Sequence, residues 1–142
     1  MNDRRLLRLV VVALRVSLAA SFLSAVGDRF GLWGPAGSGN VAWGSFDAFL
    51  DYTGQLFYYL PPAVIPVLGW LATVGEMVLA AGLLLGWRLR WFAIGSGLML
   101  ASFALAMTIA QGAELALSYS VWTSSAAAFM LAFVVVEKSV PD

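Results

Sequence analysis

Residues 69–87 read GWLATVGEMVLAAGLLLGW, an apolar run of helical length with one acid, Glu76, near its middle. The hydrocarbon core of a bilayer is about 30 Å thick, and a helix crosses it in roughly 20 residues. The run is therefore long enough to cross a membrane. A carboxylate at the bilayer centre costs roughly 3 kcal/mol or more, so Glu76 needs a partner or a chemical role.

The composition of the whole chain is typical of a membrane protein. Of its 142 residues, 61% are hydrophobic and 11% are charged, whereas soluble domains carry about 25% charged residues. Lys and Arg balance Asp and Glu at eight each, so no net basic field attracts nucleic acid. The absence of Cys and His from the sequence excludes disulfides, thiolate catalysis and Cys/His metal sites, and no metal site is predicted.

Four apolar stretches predict a single, all-α membrane domain over residues 1–142, built as an integral membrane four-helix bundle. The predicted spans cover residues of about 6–26, 65–85, 91–110 and 119–136. Residues 27–64 form a long external loop, and its second half, SFDAFLDYTGQLFYYL, has the periodicity of a short interfacial helix that Ser45 caps. The alternative is an ordered loop whose aromatic residues act as headgroup anchors alone.

The positive charges predict the orientation in the membrane, because cytoplasmic loops retain Lys and Arg. One side of the predicted bundle carries Arg4, Arg5, Arg8, Arg88, Arg90 and Lys138. The other side carries Arg29 beside three acids. We therefore expect both termini to be cytoplasmic, in a bacterial cytoplasmic (inner) membrane, with the first span retained and not cleaved as a signal peptide.

Arg15 and Glu76 are the charged residues that fall within the predicted spans. At 1.5 Å per residue both lie roughly 16 Å from the outer ends of their helices. Because arginine stays charged, we expect an ion pair between them, supported by hydroxyls such as Ser17, Thr73 or Ser102. Two interpretations remain open: a ligand or proton site, or a pair that fixes helix register without chemistry.

Two motifs resemble a known family. The stretches RVSLAASFLSAVGDRFG and GEMVLAAGLLLGWRLRW are similar to the first and second helices of DoxX-like proteins, which are small four-helix membrane proteins. The residues that carry the resemblance are Arg15, Gly27, Arg29, Glu76, Gly86 and Arg88. Some family members are associated with thiosulfate:quinone oxidoreductase or with complexes linking thiol and superoxide metabolism. The resemblance implies a membrane subunit of a redox-associated complex, and the chain departs from the family in its longer external loop.

The predicted site lies near Glu76, where the bundle would bind a quinone or another lipophilic molecule. Glu76 would accept or relay a proton and Arg15 would orient it, which makes these two the candidate catalytic residues. The candidate ligand-binding residues are Trp33, Trp43, Tyr52, Thr73, Ser102, Ser120 and Thr123. No motif for a tightly bound cofactor is recognisable, so electrons would come from a soluble or peripheral oxidoreductase.

Two other functions remain open from the sequence. A small proton-coupled transporter would use the same charge pair as a gate, and would need a homo-oligomer because four short helices enclose little volume. A non-catalytic membrane anchor or assembly factor would use the pair as a register lock. These alternatives leave open whether the chain is itself an enzyme.

Overall fold

The computed structural model describes residues 3–39 and 41–137, with side chains described as far as residue 135. The regular structure in these ranges is helical. The helices are α1 (Asp3–Arg29), α2 (Phe46–Leu56), α3 (Ile65–Leu85), α4 (Leu89–Gln111), α5 (Ala113–Ser118) and α6 (Val121–Glu137), and a single 3-10 turn, Pro62–Val64, precedes α3. Lys138, one of the positive charges that predict the orientation, lies outside the described residues.

Three helices are long and apolar enough to cross a membrane: α1, α3 with its preceding turn, and α4. The all-helical class is thus confirmed. The predicted second span matches α3 at both ends. The apolar part of α6, Val121–Val135, is shorter than the other three.

Helix α1 continues past the predicted end at Val26, through Asp28 to Arg29. The prediction ended the span where polar residues begin, because polar residues ordinarily mark a loop. Both polar side chains are buried instead, with 5% of Asp28 and 2% of Arg29 exposed. They are buried against partners within the protein, so the helix has no need to end before them.

The long helices pack as neighbours through small side chains. Helix α1 packs on α3 and α4 packs on α6, and further contacts join α3 to α4 and α1 to α6. Alanines are fully buried in these helices, namely Ala19, Ala80, Ala93, Ala104 and Ala128. Small side chains let helix backbones approach closely, as they do in membrane interfaces. The opposite faces expose large apolar side chains such as Leu71, Val74 and Leu98.

Helix α2 covers one end of the packed long helices. This end is formed by the C-termini of α1 and α4 and the N-terminus of α3, and we call it the covered end. The short helix contacts all three of these long helices. It buries Phe49, Thr53 and Leu56 and exposes Asp47 and Asp51. The Ser45 side chain accepts a hydrogen bond from the backbone N–H of Ala48 at 3.2 Å. The predicted amphipathic helix and its cap are confirmed.

Candidate functional site

A buried ion pair joins the end of α1 to the middle of α3. Arg29 Nη2 donates a hydrogen bond to Glu76 Oε1 at 2.8 Å. Arg29 Nη1 donates to Thr73 Oγ1, also at 2.8 Å. The side chains of Arg29 and Glu76 are only 3% and 2% exposed. Removing two charges from water is costly, so such a pair persists where the geometry and the surrounding hydrogen bonds are good.

The predicted ion pair between Arg15 and Glu76 is wrong. Arg15 Nε donates to the carbonyl of Leu83 at 2.8 Å, and Arg15 Nη2 donates to the carbonyl of Leu84 at 2.9 Å. The prediction measured the depth of Arg15 from Val26, but α1 extends to Arg29. Arg15 is therefore farther from the outer end of α1 than predicted. Arg15 therefore lies beside the last turn of α3, at the end remote from the covered end.

Arg15 and Gly86 together terminate α3. The last carbonyls of a helix have no partner within it, and Arg15 supplies donors for two of them. Gly86 follows with φ of 72°, a left-handed conformation that glycine adopts without a steric penalty. A Cβ at Gly86 would lie 2.5 Å from Arg15 Nη2. Glycine is thus needed both for the turn and for the approach of the guanidinium.

Aromatic rings cover the guanidinium of Arg29. The Phe49 ring centroid lies 3.9 Å from Arg29 Cζ, and the Trp43 ring centroid lies 5.4 Å away. The Trp43 ring contacts Phe49 edge-on, with 5.1 Å between ring centroids, and its centroid lies 6.0 Å from that of Tyr52. We call Trp43, Phe49 and Tyr52 the aromatic cover. The Phe49 and Trp43 rings attract the cation through their π faces, while Glu76 and Thr73 bind the guanidinium edge.

Asp28 holds the aromatic cover in place. Its Oδ2 atom accepts a hydrogen bond from the backbone N–H of Trp43 at 2.8 Å. At the other side of the cover, Tyr52 Oη donates to Gln111 Oε1 at 3.0 Å. The loop before α2 is thereby tied to α1, and α2 is tied to the end of α4.

Three buried polar atoms of Asp28, Arg29 and Glu76 have no hydrogen-bond partner among the described residues, namely Asp28 Oδ1, Arg29 Nε and Glu76 Oε2. Buried polar groups are nearly always paired, and each exception asks for an explanation. We define the polar cluster as Asp28, Arg29, Thr73 and Glu76. The cluster can still form hydrogen bonds through two carboxylate acceptors and one N–H donor. Such a set suits the polar head of a small molecule.

The structure brings some predicted site residues together and leaves others apart. Thr73 belongs to the polar cluster, and Trp43 and Tyr52 belong to its aromatic cover. Trp33 is exposed and donates from Nε1 to the Ser24 carbonyl at 3.1 Å. Ser102, Ser120 and Thr123 are exposed as well. Among the described residues, no hydrogen bond or ring contact links these four to Arg29 or Glu76.

Sequence reasoning missed Arg29 as the partner of Glu76, and it missed Asp28 and Phe49. A signal was present in the helical spacing of α1. Ala19, Phe22, Val26 and Arg29 follow one another at intervals of three and four residues, and all four are buried. That periodicity places Arg29 on the packed face of an uninterrupted helix.

A shallow apolar depression lies on the outward side of α3, apart from the polar cluster. It is lined by Pro66, Val67, Trp70, Leu71 and Val74. The large side chains that line it are apolar, as expected for a helix face in contact with lipid. No group of three or more His, Cys, Asp or Glu that could hold a metal ion occurs in the described part of the chain.

Comparison of the chain with protein-family models, with curated proteins and with solved structures gave no match. The resemblance to DoxX-like proteins therefore stays a prediction that rests on the motif residues.

Proposed function

We propose that the chain is an integral protein of a bacterial inner membrane, with α1, α3, α4 and α6 as four spans and both termini cytoplasmic. The length and apolar character of three helices support this topology, as does the distribution of Lys and Arg. Helix α6 reaches about 25 Å at 1.5 Å per residue, and bilayers accommodate a short span by local thinning. The covered end with α2 then faces the outside.

We further propose that the polar cluster binds the head group of a lipophilic small molecule, with a quinone-type ring as the leading candidate. The observation that carries this proposal is a set of three buried polar atoms without a hydrogen-bond partner among the described residues, two of them in the ion pair and one in the adjacent Asp28. An aromatic head can take the place of Phe49 or Trp43 against the guanidinium, because cation–π contact needs a ring and not a particular residue. An apolar tail finds a compatible surface on the lipid-facing helices.

The residues of the cluster have separable tasks in this proposal. Arg29 holds one oxygen of Glu76 and leaves the other for the ligand. Thr73 fixes the second arm of the guanidinium, and Asp28 positions Trp43 over the site. A bound quinone would supply two-electron redox chemistry, and the chain's own residues would bind its head, exclude water and accept a proton from the reduced form at Glu76 Oε2.

We also propose a DoxX-like role in a redox-associated complex with a soluble or peripheral oxidoreductase, a proposal that rests on the resemblance of the motif residues. Four of the six motif residues contact one another: Arg29 binds Glu76, and Arg15 lies against Gly86. Each pair joins the first motif to the second. These four motif residues therefore form two contacts between the first motif and the second, one at the middle of α3 and one at its C-terminal end.

A non-catalytic anchor or assembly factor is the second candidate function. The observation that favours it is the near-complete burial of the ion pair, since a sealed pair can fix helix register without binding anything. In that case the protein would bind its partner protein and carry no ligand at the polar cluster.

The test is to identify lipophilic molecules that copurify with the protein. Wild type and the double variant Arg29→Gln/Glu76→Gln are purified in detergent, extracted and compared by mass spectrometry, with Arg15→Gln as the matched control. We expect a lipophilic compound in wild type and control, and its loss in the double variant. Thermal unfolding verifies that the double variant is folded. Equal extracts from all three proteins would favour the anchor.

A further inference from the structure

We infer that the polar cluster selects a head group that donates hydrogen bonds, so that a hydroxylated aromatic such as a hydroquinone binds in preference to a ring that carries carbonyls alone. The inference rests on the proposed function and names the chemical form of its ligand. It follows from the hydrogen-bonding capacity that remains in the cluster after its internal contacts are made.

The internal contacts use one oxygen of each carboxylate. Glu76 Oε1 accepts from Arg29 Nη2, and Asp28 Oδ2 accepts from the backbone N–H of Trp43. The second oxygens, Glu76 Oε2 and Asp28 Oδ1, have no partner among the described residues. An ionised carboxylate can only accept hydrogen bonds. Two of the three unpaired atoms therefore require donors from the ligand.

The remaining unpaired atom is a donor, Arg29 Nε. A quinone carbonyl can accept from it but offers no proton to either carboxylate. A hydroquinone hydroxyl can donate to a carboxylate oxygen and accept from an N–H at the same time. A hydroquinone hydroxyl can thus satisfy an unpaired carboxylate oxygen together with the unpaired N–H, whereas a quinone carbonyl can satisfy the N–H alone.

The charge balance of the cluster favours the same selection. Asp28 and Glu76 are opposed by one guanidinium, and that guanidinium is already bonded to Glu76 and Thr73. The other acids of the covering helix, Asp47 and Asp51, are exposed. Among the described residues, the buried carboxylate oxygens without a partner therefore belong to the polar cluster, where a hydroxyl donor lowers the electrostatic cost.

The experiment measures binding of three probes to the full-length protein in detergent by equilibrium dialysis under anaerobic conditions. The probes are decylbenzohydroquinone, decylbenzoquinone and the dimethyl ether of the hydroquinone, which keeps the ring and tail but lacks donors. A site built to bond a hydroxyl rejects analogues without it, so we expect the hydroquinone to bind at least about tenfold more tightly than either analogue.

A matched pair of variants tests the source of the preference. Asp28→Asn keeps an oxygen for the Trp43 N–H and turns the unpaired acceptor into an amide donor. Its preference for the hydroquinone over the quinone should fall several-fold. Asp47→Asn makes the same chemical change at an exposed position of α2 and should leave the preference unchanged.

The outcomes separate the two proposals. Binding of all three probes with equal affinity by wild type would overturn the inference and leave the proposed function intact. An unchanged preference in Asp28→Asn would also overturn it, because the selection would then arise elsewhere. Absence of binding by all three probes would overturn the proposed function and the inference together.

Discussion

Arg29 and Glu76 form an ion pair between α1 and α3, with 2.8 Å between Nη2 and Oε1 and both side chains almost completely buried. Each charge is tolerable there because the other is present. The pair joins the end of the first long helix to the middle of the second, so it determines how the two helices meet beneath α2.

The first prediction concerns the coupling between these two residues. Glu76→Leu leaves the guanidinium buried without its counterion, and removing one partner of a buried pair costs about 3–5 kcal/mol. Arg29→Leu/Glu76→Leu removes both charges and should cost less than the sum of the single changes. Equilibrium unfolding in mixed detergent micelles measures all three variants.

Arg15 provides the control for this cycle. It bonds the carbonyls of Leu83 and Leu84, so the losses from Arg15→Leu and Glu76→Leu should add. Additive losses for Arg29 and Glu76, or strong coupling of Glu76 to Arg15, would contradict the structure.

The second prediction concerns the end of α3. Gly86→Ala places a Cβ against Arg15 and forces alanine into a left-handed conformation, which alone costs about 1–2 kcal/mol. In an Arg15→Leu background, the destabilisation caused by Gly86→Ala should lose the part that comes from the clash with Arg15. The part that comes from the left-handed backbone conformation should remain. A Gly86→Ala cost that is the same in both backgrounds, measured by the same unfolding assay, would show that Arg15 does not approach Gly86.

How far the sequence predicts this structure depends on the kind of signal. The bounds of α3 follow from hydropathy, and α2 with its Ser45 cap follows from helical periodicity and cap chemistry. Both signals are local. The need of Glu76 for a cationic partner was also predictable, because an unpaired buried charge is costly.

The identity of that partner was not predictable from local signals. Arg29 appears at the polar boundary of an apolar run, where a helix ordinarily ends, and its role depends on packing against Thr73 and Glu76 on another helix. The ring nearest to its guanidinium belongs to Phe49, in the first turn of a separate helix. Contacts between distant segments of this kind follow from the fold and not from spacing.

The third prediction concerns pH and the attachment of α2. Burial, reinforced by the nearby Tyr119, raises the pKa of Tyr52 above its ordinary value of 10.0. The phenol therefore ionises more readily when α2 is detached. Attachment is fully supported below the ordinary pKa and weakens as the pH rises through the raised pKa.

Ultraviolet difference titration checks this shift, because phenolate absorbs differently from phenol. Wild type should show a late-titrating component that is absent from Tyr52→Phe, and thermal stability at alkaline pH should fall more steeply in wild type. Tyr58→Phe, at an exposed position, is the control and should retain the late component. If the late-titrating component persisted in Tyr52→Phe, the raised pKa would belong to another tyrosine.

The fourth prediction concerns topology. The sequence contains no cysteine, so single cysteines can be introduced at Ser38, Trp87 and Glu114 without a background. An impermeant thiol reagent should label Ser38→Cys and Glu114→Cys from the outside and Trp87→Cys from the cytoplasmic side. Labelling of Ser38→Cys and Trp87→Cys from the same side would contradict the proposed crossing of α3.

Photoaffinity labelling tests most directly the central claim, that the polar cluster beneath the aromatic cover is the ligand site. A decylhydroquinone that carries an aryl azide on its ring is photolysed with the protein, and the adducts are located by tandem mass spectrometry. We predict adducts on Trp43, Phe49 or Tyr52 and on α3 between Thr73 and Glu76, all suppressed by excess decylbenzohydroquinone. Adducts confined to the apolar depression on the outward side of α3, around Trp70 and Leu71, or adducts that excess probe does not suppress, would contradict the claim.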